Sequence, residues 1–224
     1  MDDRREQVLQ TAARYLGAGK KSMGAASAAQ WDRLMAEAYA EMLAAAVPRH
    51  RLRWASVEIT EVGKPNAGLP ALRLGDMPPI ASRDLCRLFT GCRDGYALLA
   101  TLGMELDLRI RRLSVSNPAL AAAVGACGSA YIEAYIDETL QTEVPEALTP
   151  RFSPGYGDAP LSAQPALLQF LDAHKLGVHL TNGLLMLPEK SVSALMGISP
   201  PDAAPCESRC SVCTQKSCPF REET

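Results

Sequence analysis

The sequence has little net charge, no long hydrophobic run and few histidines, and each shortage narrows the range of functions. Its net charge is −2 over 224 residues, which gives no case for a nucleic-acid partner, since such a partner would call for a basic face. The apolar runs at 36–47 and 119–127 are rich in alanine and shorter than the ~20 residues that a bilayer-spanning helix needs. The charged residues 1–6 precede no apolar segment, unlike a signal peptide. We therefore expect a soluble, cytoplasmic protein without nucleic-acid or membrane partners.

The three histidines, His50, His174 and His179, have no neighbour at metal-ligand spacing. An isolated histidine has no partners with which to hold a metal. We expect His50 and His174 to be exposed and His179 to pack or hydrogen-bond in a strand. The sequence also contains no evident Ser/His/Asp or paired-carboxylate motif.

Cysteine is the one metal-binding residue type that clusters. The sequence has seven cysteines, and without a secretory signal a disulfide framework is not expected. Cys86, Cys92 and Cys127 lie in apolar or mixed surroundings and are predicted to be buried free thiols. The other four lie close together near the C-terminus: Cys206, Cys210, Cys213 and Cys218.

The pattern Cys-x3-Cys-x2-Cys-x4-Cys-Pro places four thiolates where they can surround one centre, either Zn²⁺ or a [4Fe–4S] cluster. A reduced, unliganded tail is the other interpretation. The first three cysteines have the spacing of the radical S-adenosylmethionine motif. That motif comes early in a long α/β barrel and leaves one iron open, whereas Cys218 here offers a fourth ligand.

The order of predicted elements favours an α+β fold in one main domain. Predicted helices include residues 27–46, with Ser27 as the N-cap, 118–140 and 163–174. Predicted strands include 54–62 and 94–99. The small residues in the first half of 118–140 indicate that another element packs closely against that helix. We divide the chain into a domain at 1–198 and a Pro-rich linker with the four-cysteine tail at 199–224.

Arg151-Phe152-Ser153-Pro154-Gly155-Tyr156 has the composition of a loop that binds a small anion-bearing ligand. The planar arginine fork suits two-point binding of a carboxylate. Pro154 fixes φ, while Gly155 opens conformations closed to other residues. A plain surface turn with a solvated arginine has the same composition, so this chemistry alone does not decide between the two.

The wider pattern resembles the reactivation domain of vitamin B12-dependent methionine synthase. The pattern combines Arg-x-x-Pro-Gly-Tyr, Leu180-Thr181, and Met-x-Pro-x-x-Ser-Val-Ser ending at Ser193. Further matches to free-standing relatives of that domain extend the resemblance over residues 8–198: Arg14-Tyr15-Leu16-Gly17, Ala100-Thr101-Leu102-Gly103 and Tyr131-Ile132-Glu133-Ala134-Tyr135. The resemblance implies a bent antiparallel sheet flanked by helices, with the ligand in a shallow groove.

The resemblance also implies roles for individual residues in binding S-adenosylmethionine. Arg151 would hold the ligand carboxylate, the backbone of Ser153 would face the nucleoside, and Tyr156 would line the methyl-donating end. Glu133 is the best match to an acid that contacts the ligand amino group, although a solvated helix face explains that glutamate equally well. The synthase has alanine in place of Ser153, a mild change where backbone makes the contact.

Two functions follow from the resemblance. The first is reductive reactivation of a corrinoid (cobalamin) methyltransferase in trans, in B12-dependent methionine synthesis or a related methyl transfer, with a low-potential electron donor. That role favours an iron–sulfur tail, since such clusters reach below about −400 mV. The second is a non-catalytic adaptor for a corrinoid protein with a zinc or iron–sulfur tail. The sequence has no Asp-x-His-x-x-Gly cobalamin segment, so the cobalamin would belong to another chain.

Overall fold

The computed structural model describes residues 2–17, 25–60 and 68–201. Two helices come first, α1 (Asp2–Tyr15) and α2 (Ala25–Ala45). Strands β1 (Arg49–Thr60), β2 (Ala71–Leu74) and β3 (Ile80–Ala81) lead to the short helix α3 (Arg83–Leu88). Strand β4 (Asp94–Thr101) precedes helices α4 (Met104–Ser116) and α5 (Pro118–Glu143). Helix α6 (Gln164–Phe170), flanked by 3₁₀ turns, then leads to β5 (His179–Leu180), β6 (Met186–Leu187) and β7 (Ser191–Gly197).

The main sheet has five strands in the order β3-β2-β1-β4-β7, and every pairing is antiparallel. It curls into a half-barrel flanked by helices, which confirms the predicted α+β class with a bent antiparallel sheet. Strands β5 and β6 form a separate hairpin. The chain between α5 and α6 adds two isolated bridges beside the sheet, because Leu148 pairs with Ile198 and Phe152 pairs with Leu195 of β7.

Strand β4 has buried core side chains on both of its faces. Successive side chains of a strand point to opposite sides of the sheet. Leu98 and Ala100 pack into the helical core formed by α1, α2, α4 and α5. Ala97 and Leu99 pack into the second core, under α3 and α6. All four are fully buried. A strand covered on both faces needs an unbroken apolar sequence. The burial of β4 on both faces confirms the buried strand predicted at 94–99.

Helix α5 is the central element of the helical layer. It is long and apolar enough to cross a membrane by length and composition, but 61% of its apolar window is buried inside the fold, as expected of a core helix. A Cβ added to Gly128 would lie 3.0 Å from Leu106 Cδ2 of α4. This contact confirms the close packing predicted from the small residues of the helix.

Three local predictions were wrong. Ser27 lies inside α2, which begins at Ala25, so it is no N-cap. Strand β1 begins at Arg49, earlier than predicted, because its first residues pair with the end of β4. The helix predicted at 163–174 ends at Phe170, since Asp172 adopts a left-handed conformation with φ 48°. Its carboxylate is held there by Arg51 Nη2 at 2.6 Å.

Candidate functional site

Arg151 lies between the edge of the sheet and α5, and its side chain is only 12% exposed. Its Nη2 donates a hydrogen bond of 2.7 Å to Glu133 Oε2 on α5. Its Nη1 lies 3.0 Å from Asp137 Oδ1, an ion-pair distance. That nitrogen is buried, yet it makes no well-aligned hydrogen bond. The structure therefore brings Arg151 and Glu133 together and leaves one arm of the guanidinium without an aligned acceptor.

The loop after Arg151 is held by its own backbone and by β7. The N–H of Tyr156 donates to Ser153 O at 3.0 Å, and the N–H of Gly155 donates to Ala159 O at 3.0 Å. Gly155 has φ +90°, a conformation that L side chains rarely adopt. Pro154 is buried while Tyr156 is 54% exposed. The loop thus presents an aromatic ring above a tightly hydrogen-bonded turn.

Ser153 joins this loop to the Met-x-Pro-x-x-Ser-Val-Ser motif that ends at Ser193. Its Oγ donates to Ser193 O at 2.7 Å, and Gln164 Nε2 donates to Ser193 Oγ at 2.9 Å. Ser193 and Gln164 are both buried. Two motifs distant in sequence are therefore parts of one hydrogen-bonded site, and Gln164 is a member that sequence reasoning missed.

Asp158 fastens the far side of the loop to α3. Its carboxylate accepts hydrogen bonds from the Ser82 hydroxyl, from the Arg83 N–H at 2.8 Å and from the Asp84 N–H at 3.2 Å. Desolvation raises the pKa of the Asp158 carboxyl, but the hydrogen bonds that the carboxylate accepts, first from Ser82 and then from backbone N–H groups, outweigh it, so the pKa lies below its ordinary value. Ser82 is also the N-cap of α3, because its side chain accepts a hydrogen bond from the Leu85 N–H.

Asp137 is a second acid beside Arg151 that sequence reasoning also missed. It lies four residues after Glu133, so both carboxylates project from the same face of α5. This four-residue spacing shows that the two acids share a helix face, but nothing in the local sequence shows that this face contacts Arg151. The structure supplies this information by placing both carboxylates within 3.0 Å of one guanidinium.

Lys190, within the motif that ends at Ser193, packs against the face of α5 that carries Glu133. Its Nζ donates to Ser129 Oγ at 2.9 Å, and Ser129 lies one turn before Glu133. Burial lowers the pKa of Lys190. Asp107 accepts from the N–H of Glu189 at 2.6 Å, and burial raises the pKa of this carboxyl above its ordinary value. These contacts hold the turn before β7 against both α4 and α5.

The predicted thiol and histidine sites have mixed outcomes. Cys86, Cys92 and Cys127 are free and buried, as predicted. His50 is not the exposed residue that was expected: its Nδ1 lies 2.7 Å from the Tyr135 hydroxyl and its Nε2 lies 2.9 Å from Glu143 Oε1.

Residues Cys206, Cys210, Cys213 and Cys218 lie outside the described residues. Within the ranges 2–17, 25–60 and 68–201, no group of three or more His, Cys, Asp or Glu side chains is arranged to hold a metal ion. The four-cysteine centre therefore stays a prediction.

Comparison with known proteins gives a structural match. No family model matches the sequence, and no curated protein matches it. The chain is similar to the crystal structure of the MetH reactivation domain bound to AdoHcy, with a TM-score of 0.59 and 15% sequence identity. The match covers 88% of this chain and 77% of that chain. It confirms the predicted resemblance at the level of the fold.

Proposed function

We propose that this chain binds S-adenosylmethionine and uses it to reactivate a corrinoid methyltransferase carried on a separate chain. In this reaction one electron and the ligand's methyl group convert the partner's cob(II)alamin to methylcobalamin, and S-adenosylhomocysteine is released. The solved structure with the same fold holds AdoHcy, the compound left after methyl transfer. Because the sulfonium is already activated, the protein needs no acid–base pair, and its contribution is to position the donor.

The observation that carries the proposal is the charge arrangement around Arg151. The amino-acid end of the ligand has a carboxylate and an ammonium group. The unaligned arm of Arg151 faces the carboxylate in our assignment, while Glu133 and Asp137 offer negative charge to the ammonium group. The Arg151 guanidinium and the two carboxylates within 3.0 Å of it therefore complement the carboxylate and the ammonium group of the ligand.

The loop determines where the rest of the ligand lies. The backbone of Ser153 is fixed by β7 through Ser193, so it gives a rigid edge for the nucleoside. Tyr156 stands exposed beside it, with its ring packed edge-on against Phe152 at 6.4 Å between centroids. In this assignment Pro154 and Gly155 shape the turn, and Tyr156 lines the end from which the methyl group leaves.

Calorimetry with S-adenosylmethionine tests the assignment. Arg151→Ala should weaken binding by about 2–4 kcal/mol, the cost of truncating one partner of a buried, charge-assisted contact. Arg151→Lys should restore only part of the affinity, because an ammonium group cannot reproduce the planar fork. Arg109→Ala is the matched control, since Arg109 pairs with Glu41 at 2.6 Å away from the loop. Unchanged affinity in Arg151→Ala would show that the assignment is wrong.

We further propose that the four-cysteine tail holds one Zn²⁺ or [4Fe–4S] centre and that the domain at 1–198 folds without it. The low-potential electron that the reaction consumes favours the cluster. Truncation after Ser199 should leave a folded protein that binds S-adenosylmethionine and contains no metal. Visible absorption of anaerobically purified full-length protein distinguishes the two centres, because a broad band near ~400 nm marks an iron–sulfur cluster.

A non-catalytic adaptor is the alternative, and one observation favours it. Both arms of Arg151 already face carboxylates, an arrangement that also suits a purely structural ion pair. The test mixes the protein with its corrinoid partner in the cob(II)alamin state, a low-potential reductant and S-adenosylmethionine. Faster methylcobalamin formation that Arg151→Ala abolishes, with docking intact, supports reactivation. Docking without methylation at any reductant strength supports the adaptor.

A further inference from the structure

A cationic cavity lies beside the point where the described part of the chain ends. The cavity has a volume of about 640 Å³ and is lined by Ile59, Pro70, Arg83, Arg87 and Gly91, among others. Both arginines come from α3 and both are exposed. Among the ion pairs of the described residues, none involves either of these two side chains. We call this site the α3 pocket.

The C-terminal tail leaves the domain at the edge of the α3 pocket. Pro200 packs on Gly91, since a Cβ added to Gly91 would lie 3.1 Å from Pro200 Cγ. The N–H of Ser199 donates to Ala147 O at 2.8 Å and fixes the chain just before that point. Cys206 follows Pro200 by six residues, a reach of at most about 20 Å.

The charge of the tail complements the pocket. Residues 202–224 contain one more acidic than basic side chain. Four thiolates around one divalent zinc ion add two negative charges. An anionic segment thus follows directly after the edge of a pocket with two arginines that pair with no acid of the described residues, and opposite charges favour its binding there. Ile59 and Pro70 give the pocket apolar walls, which suit the Val212 and Phe220 side chains of the same segment.

We propose that the metal-loaded four-cysteine tail folds back and binds in the α3 pocket. This proposal rests on the metal centre proposed above. Helix α3 also holds the ligand loop, because the N–H groups of Arg83 and Asp84 donate to Asp158. The bound centre would therefore lie across one short helix from the S-adenosylmethionine loop, a suitable place for an electron entry site.

Trypsin cleavage of the full-length, zinc-loaded protein tests the docking. Trypsin cuts after Arg209, Lys216 and Arg221 of the tail, and its rate reports how often the tail is released. Arg83→Gln/Arg87→Gln should speed cleavage at these sites about tenfold, the effect of losing several exposed charge contacts. The matched control is Arg111→Gln/Arg112→Gln, which removes the same charge from the exposed surface of α4.

Further measurements separate the explanations. Zinc content must stay at one ion per chain in all variants. Arg87→Glu alone is a second variant, which leaves Arg83 beside Asp158 unchanged. Raising the salt to ~1 M should also release the wild-type tail, because the Debye length falls to ~3 Å. Equal cleavage of zinc-loaded wild type and variants overturns the docking. Wild type that binds neither zinc nor an iron–sulfur cluster overturns both the centre and its docking, while calorimetry with S-adenosylmethionine reports separately on the Arg151 loop.

Discussion

The hydroxyl of Ser153 donates to the backbone carbonyl of Ser193 at 2.7 Å, which joins the arginine loop to strand β7. The two residues lie 40 positions apart in the chain. Both belong to the motifs that carry the resemblance, and this bond brings the two motifs into one site. It adds to the backbone hydrogen bonds between Phe152 and Leu195 that hold the loop on β7.

Ser153→Ala should therefore weaken S-adenosylmethionine binding without unfolding the protein. Loss of one hydrogen bond costs about 0.5–1.5 kcal/mol, and the loop would then sample positions away from β7. Calorimetry should show this loss, together with a small fall in melting temperature. Ser114→Ala is the control, since the exposed Ser114 of α4 makes a similar bond to Arg111 O at 2.7 Å. Equal effects of the two variants on ligand binding would contradict a specific anchoring role.

Asp158→Asn should change how stability depends on pH. The folded pKa of Asp158 lies below its ordinary value, which is about 3.9 in an unfolded chain. The charged form therefore stabilises the fold above that pH, and this stabilisation is lost as the pH falls through the folded pKa. We expect the variant to be less stable by about 0.5 kcal/mol at pH 7, because solvent screens the exposed carboxylate at the N-terminus of α3.

The measurement for Asp158 is urea unfolding from pH 7 down into acid. The difference between wild type and variant should shrink below about pH 4 and disappear at lower pH. Asp76→Asn is the control, because Asp76 is 76% exposed and its nearest cation is Arg53 at 3.6 Å. A difference that stays constant down to the lowest pH would contradict this account.

Two glycine-to-alanine substitutions should have opposite effects on stability. A Cβ at Gly95 would lie 2.5 Å from Met196 O of the paired strand β7, so the strands must separate. We expect Gly95→Ala to destabilise the fold by about 1–3 kcal/mol. Gly125 in α5 has open space around its Cα, and Gly125→Ala should stabilise by about 0.5–1 kcal/mol. Urea unfolding measures both, and the same sign for both would contradict the described strand packing.

The buried thiols should be unreactive in the folded protein. Burial raises the pKa of Cys127 to about 11 and also raises the pKa of Cys86 and Cys92. With metal removed by a chelator, an aromatic disulfide reagent at pH 8 should modify only the four tail cysteines. The remaining three should react after unfolding in guanidinium. Rapid reaction of a fifth cysteine in the folded state would show that the described core opens readily.

Much of the local structure can be predicted from the sequence. Ser82 marks the start of α3, the apolar run at β4 marks a strand buried on both faces, and the small residues of α5 mark close helix packing. These features depend on residues that are neighbours in the chain, so propensity and periodicity record them. The resemblance to a known fold is also readable from the sequence, and the structural match confirms it.

The contacts that build the site were decided by the tertiary structure. Asp137, Gln164 and Asp158 enter the site through partners on other elements, and no local pattern identifies those partners. The end of α6 likewise depends on Arg51, which lies 121 residues from the carboxylate of Asp172 that it holds. Periodicity shows which face of an element is apolar, whereas the element that covers this face follows from chain topology. For this reason the sequence alone determined the elements and the arginine motif, while only the folded chain determined what Arg151 contacts.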